Sequence, residues 1–110
     1  MFAGNSIVFY DHGEVEERML INWSDIHHFI HAEELDMAIR ELPDGRNVLV
    51  YDKNADLDKY AMMNHSANMF LSSLRAEEHL PIYGTALIIV SEALLNLKAY
   101  KERGEPKPSP

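Results

Sequence analysis

Cysteine is absent from this chain of 110 residues. That excludes disulfide bridges, thiolate catalysis and zinc–thiolate sites, and it suits a reducing compartment. Glycine is scarce and scattered: Gly4, Gly13, Gly45, Gly84 and Gly104 each stand alone, so neither a phosphate-cradling loop nor a dinucleotide fingerprint can be assembled. No apolar run reaches the roughly 18–20 residues that cross a bilayer. The first ten residues lack the basic stretch of a secretory leader, and Asp11 follows them early. The chain therefore reads as cytoplasmic, with no membrane partner. Basic residues are the minority, 10 against 18 acids for a net charge of −8, and only Lys98, Lys101, Arg103 and Lys107 gather locally. Phosphate backbones are bound by clustered Lys and Arg, so direct nucleic-acid binding is disfavoured, and a partner selected by charge is a basic protein.

What is present is ordinary globular material. An apolar share of 46% supplies a core for a single domain of this length. That domain is expected over residues 1–103, and the tail 104–110, with three prolines, reads as disordered.

Residues 6–10 and 15–21 are rich in β-branched and aromatic side chains around Asp11-His12-Gly13, which spells a hairpin. In its second strand Val15, Glu17, Met19 and Ile21 share one face, apolar but for Glu17. Ser24 is a suitable N-cap for a helix over 24–31 that carries Ile26, Phe29 and Ile30, with Trp23 stapling the helix start to the core. Continuing that stripe would require apolar residues at 33 and 34, where Glu33 and Glu34 stand, and Leu35, Met37 and Ile39 then alternate with polar or small residues. A hairpin of 34–42 with 47–52, turned at Pro43-Asp44-Gly45, is the expectation. One long helix through Leu42 is the competing reading.

Residues 53–63 are polar and irregular. Asn64 or Ser66 caps a helix to about Ala76 that buries Ala67, Phe70, Leu71 and Leu74. Pro81 opens a last strand over 82–90, whose run Ala86-Leu87-Ile88-Ile89-Val90 places it centrally in the sheet. Ser91 starts a final helix with Leu94, Leu95, Leu97 and Ala99 or Tyr100 inward, and Gly104 ends it. The order ββαββαβα makes an α+β single domain, a mostly antiparallel sheet with helices packed on it.

Three of these segments carry a resemblance: Val48-Leu49-Val50-Tyr51-Asp52, Asn64-His65-Ser66-Ala67, and Ile82-Tyr83-Gly84-Thr85-Ala86-Leu87-Ile88. In this order they resemble a small family of uncharacterised phage and mobile-element proteins, with a strand ending at an acid, an N-x-x-A helix start and an I-x-G-T closing strand. The family's Gly pair after the first helix is Ala32-Glu33 here. The resemblance implies a phage-type accessory protein and supplies no reaction.

Few residues suggest chemistry. His27, His28 and His31 form an HHxxH group, and His27 with His31 at i,i+4 on a helix could hold a divalent metal. A third ligand is not evident, and the position after the first His is another His rather than the Glu of metalloproteases. Protonation of all six histidines would carry the charge from −8 toward −2. Asp52, Asn54, Asp56 and Asp58 alternate like the start of a calcium loop, but Leu57 and Met63 stand where Gly and Glu are needed. Asn64, Asn68, Tyr83 and Thr85 could converge beside Gly84 as a ligand pocket, against the plainer reading of a helix cap and a strand irregularity. Met62-Met63 lies in a polar connection and is a candidate contact surface.

The expected function is that of a non-enzymatic accessory protein acting through protein–protein contacts, with no cofactor. A homodimer through the C-terminal helix is the expected assembly. A small-ligand-binding module at Asn64 and Gly84 and a metal-dependent hydrolase at His27 and His31 are the alternatives. Mimicry of nucleic acid is a variant of the first, requiring the acids to share a face.

Overall fold

A computed structural model describes residues 4–57, 62–76, 78 and 80–102; the Pro-rich tail and Asp58 lie outside them. The α+β reading and its element order hold. Strands β1 (Gly4–Phe9), β2 (Val15–Leu20), β3 (Met37–Glu41), β4 (Asn47–Asp52) and β5 (Ala86–Val90) alternate with helices α1 (Trp23–Phe29), α2 (His65–Ser73) and α3 (Ser91–Glu102). The strands form one sheet in the order β2-β1-β5-β4-β3, and every pairing is antiparallel.

The apolar run of β5 sits at the centre because both of its faces are covered. On one face Val8, Leu87, Ile89, Val48 and Val50 pack against Trp23 and Ile26 of α1 and Ala93, Leu94 and Leu97 of α3. On the other, Phe9, Leu49, Ala86 and Ile88 pack against Ala67 and Leu71 of α2. Cross-strand neighbours Val8, Leu87 and Val50, in register across β1, β5 and β4, share the face that carries the first of these cores.

Local chemistry explains most of the boundaries. The β1–β2 turn closes with the Tyr10 N–H donating to Glu14 O at 2.9 Å and the Gly13 N–H to Tyr10 O at 3.0 Å, and Gly13 takes φ +104. At the β3–β4 turn the Asp44 carboxylate accepts from the N–H groups of Asn47 and Arg46, each at 2.9 Å. Those two bonds hold its pKa below the usual aspartate value.

Several expectations need correction. The first helix is capped by Asn22 rather than Ser24: the Asn22 side chain accepts the Asp25 N–H while Asp25 accepts the Asn22 N–H, a reciprocal capping box. It ends at Phe29, with Ile30 already extended, so His31 is not on the helix. A long helix through Leu42 does not form; a 3-10 turn at Glu34–Asp36 leads into β3, which is shorter than the strand expected over 34–42. The second helix stops at Ser73 rather than near Ala76. The closing strand begins at Ala86 rather than 82, preceded by an isolated bridge of Met63 with Tyr83 and by Gly84 at φ +74.

On α3, Leu94 and Leu97 are inward but Leu95 points out, 64% exposed. On β2, the face shared by Val15, Glu17 and Met19 is turned to water. Leu20 is the β2 side chain in the core, while Val15 is 52% and Met19 61% exposed.

Candidate functional site

Asn64 is fully buried, and folding uses its whole side chain. Its Nδ2 donates to Phe9 O at 2.7 Å and to Gly84 O at 2.8 Å. Its Oδ1 accepts the Ala67 N–H at 3.0 Å as the cap of α2. Both N–H donors of the amide are thus spent and the side chain has no exposed surface, so no donor remains to offer a ligand. Asn68 does similar work one turn on, its Oδ1 accepting the Ile82 N–H at 2.8 Å. Together they clamp α2 to the segment entering β5.

Tyr83 and Thr85, two and four residues past that segment's proline, diverge from the clamp. Tyr83 lines a shallow hollow with Tyr51, Asp52, Lys53 and Leu80. Thr85 borders a different one, of about 370 Å³, with Tyr10, Arg18, His28, Phe29 and His31. The four residues thus serve three separate places.

The histidines are likewise divided. The Trp23 Nε1–H donates to His27 Nε2 at 3.1 Å, and His27 Nδ1 lies 3.1 Å from Ala32 O. Indole N–H can only donate, so Nε2 is the acceptor there, and both ring nitrogens are engaged within the fold. His27 and His31 do meet Glu33, Asp36 and Asp52 around an open hollow, yet among the described residues no group of three His, Asp or Glu side chains is placed to hold a metal ion. The acidic loop is tied into its own turns: Asp52 accepts the Asn54 N–H at 2.9 Å, and Asn54 Nδ2 donates to Asp36 at 2.9 Å. Among the described residues no helix is long and apolar enough to cross a membrane.

The outward chemistry lies instead on β2, one edge of the sheet. Its register to β1 pairs Ser6 with Arg18 and Val8 with Glu16. Since Tyr10 and Glu14 close the ladder through a hydrogen bond, the alternation of antiparallel pairs turns the backbone groups of Glu16, Arg18 and Leu20 toward β1. Those of Val15, Glu17 and Met19 turn away from it. The Ser6 hydroxyl, which donates to Arg18 O at 3.0 Å, agrees with this phase.

On the side of the sheet covered by α1 and α3, Arg18 and Glu16 form an ion pair at 3.0 Å, and the Tyr10 hydroxyl donates to Glu16 at 3.0 Å. Tyr10 and then Glu16 push the Arg18 pKa above its already high ordinary value, keeping the guanidinium cationic. On the other side α2 covers β1, β5 and β4 but not β2, and this leaves Val15 and Met19 in water, with Ile21 just past the strand 45% exposed.

Sequence periodicity put these residues on one face but did not say whether that face is covered, although a half-apolar alternating strand is ordinarily a half-buried one. The contrary signal was Glu17 in the middle of the face. No known protein family, curated protein or solved structure matches this chain.

Proposed function

We propose that this chain is a non-enzymatic accessory protein that works by protein–protein contact, offering the outer edge of β2 to its partner. The observation that carries the reading is the coincidence, on β2, of outward backbone groups that no described strand pairs with the exposed side chains of Val15 and Met19, which Ile21 just past the strand extends. A partner strand added there would gain main-chain hydrogen bonds for affinity and apolar contacts on alternate residues for specificity.

The C-terminal helix is a poorer surface for the homodimer expected of it. Leu94 and Leu97 belong to the core, and of the three leucines only Leu95 faces out. The phage or mobile-element setting rests on the sequence resemblance, and the neighbouring genes test it: phage structural, replication or anti-defence genes beside this one support it.

A photocrosslinking residue placed singly at positions 15, 19, 35 and 95 in the living host tests the contact. Adducts are expected at 15 and 19 well above those at Leu35 and Leu95, which are more exposed than Val15 and at least as exposed as Met19. Equal yields at all four positions would contradict the assignment.

A further inference from the structure

Charged side chains on an edge strand ordinarily guard it against pairing. Here the guard carries both signs: Glu16 and Glu17 are acidic and Arg18 basic. Reading outward from Glu17, the flanking positions are Glu16 and Arg18, then Val15 and Met19. We propose that the occupant of the β2 edge is the β2 edge of a second copy of this chain, paired antiparallel about a two-fold axis through Glu17. The inference rests on the contact reading above and names its partner.

The register follows from three constraints. A two-fold axis normal to the sheet keeps each face continuous across the junction, so residues facing each other must have the same parity. The outward backbone groups belong to Val15, Glu17 and Met19, so these must form the hydrogen-bonded pairs. With Glu17 opposite its symmetry mate, Val15 lies opposite the partner's Met19 and Met19 opposite the partner's Val15, and each pair exchanges both N–H···O bonds.

On the other face Glu16 then stands opposite the partner's Arg18, twice. The existing Glu16–Arg18 ion pair becomes half of a four-charge ring, in which the guanidinium has donors to serve both carboxylates. Shifting the axis to Arg18 sets two guanidinium groups against each other. Shifting it to Glu16 opposes two carboxylates. Opposite charges directly across a strand pair stabilise it and like charges weaken it, which selects the register centred on Glu17. Glu17 itself meets its mate across the axis, and this is the unfavourable contact that keeps the association weak and reversible. A contact of one short strand per copy belongs with small transient interfaces of less than about 1,200 Å², so it is read at about 100 µM protein rather than at nanomolar concentration.

Sedimentation equilibrium of the full chain at about 100 µM is expected to show a monomer–dimer equilibrium. Arg18→Glu should weaken it about tenfold, since two cross-strand attractions become repulsions, and Glu16→Arg with Arg18→Glu should restore it. Glu17→Gln should tighten it by about threefold, the scale of one relieved like-charge pair.

The absence of cysteine supplies a register test. In the hydrogen-bonded geometry the two Cα atoms at the axis lie about 5.5 Å apart, within disulfide reach. Glu17→Cys should therefore oxidise to a covalent dimer faster than Arg18→Cys or Leu95→Cys. Circular dichroism of each variant keeps misfolding from being read as lost association. Faster linkage at 18 or 95, or a strict monomer in sedimentation, overturns the self-pairing. A strict monomer combined with photoadducts to other proteins at position 19 overturns self-pairing alone and leaves contact at this edge standing.

Discussion

Asn64 concentrates more of the fold than any other polar residue described here. It caps α2, holds the Phe9 carbonyl at the end of β1 and holds the Gly84 carbonyl before β5. Replacing it with Ala strands two carbonyls and removes a cap. A lost partner in a buried site costs about 1–3 kcal/mol and a cap about 1 kcal/mol, so Asn64→Ala should destabilise by about 3 kcal/mol in urea unfolding. Asn64→Asp separates the two roles: the carboxylate can still accept the Ala67 N–H but has no N–H to give either carbonyl. Asp should therefore be at least as damaging as Ala at neutral pH, and if Asp proves nearly neutral the bridging role is wrong. The sequence offered Asn64 both as a cap and as a pocket residue. The cap was legible from its position before an apolar helix; the bridges were not, because they depend on Phe9, 55 residues away.

The elements themselves were readable because their signals are local. Alternation of Met37 and Ile39 with smaller or polar residues, the Pro43-Asp44-Gly45 turn and the apolar run from Ala86 to Val90 each act within a few residues. Where a boundary was missed, the deciding contact was less obvious. The capping box of α1 rests on Asn22 and Asp25, while Ser24, the better-looking cap, donates its hydroxyl to the Asn22 side chain.

The end of α2 is instructive in the same way. The Ala76 N–H donates to Leu71 O at 2.8 Å and the Arg75 N–H to Ser72 O at 3.0 Å, a Schellman closure. It puts Arg75 at φ +57. No glycine marks this stop, so it was not legible in advance. A non-glycine residue there bears a left-handed backbone cost of about 1 kcal/mol, which Arg75→Gly should recover as a higher urea midpoint with an unchanged slope. A fall in the midpoint would mean that the arginine side chain contributes more than its backbone costs. The direction of the β2 face was not legible, for a different reason. Strand periodicity shows that two faces differ, but which face a helix covers depends on how far α2 extends across the sheet, and it stops short of the edge.

At the scale of the molecule, the five strands and three helices of the described residues enclose two cores and leave one long edge with both its backbone and its apolar side chains turned to solvent. The other edge, β3, begins with Met37 and Ala38 buried and ends in Arg40 and Glu41, so it presents less apolar surface to a partner strand. The asymmetry between the edges is what makes β2 the contact surface. It also makes the surface testable without knowing the partner.

Residue-resolved amide hydrogen exchange along β2 is the most direct measurement. In dilute protein the amides of Glu16, Arg18 and Leu20 should exchange slowly, held by β1, and those of Val15, Glu17 and Met19 quickly. Raising the concentration about a hundredfold should slow the second set while leaving the first unchanged, as mass action requires of a weak self-association. If Val15, Glu17 and Met19 are already protected in dilute protein, the edge is covered within the fold itself and is not the contact surface.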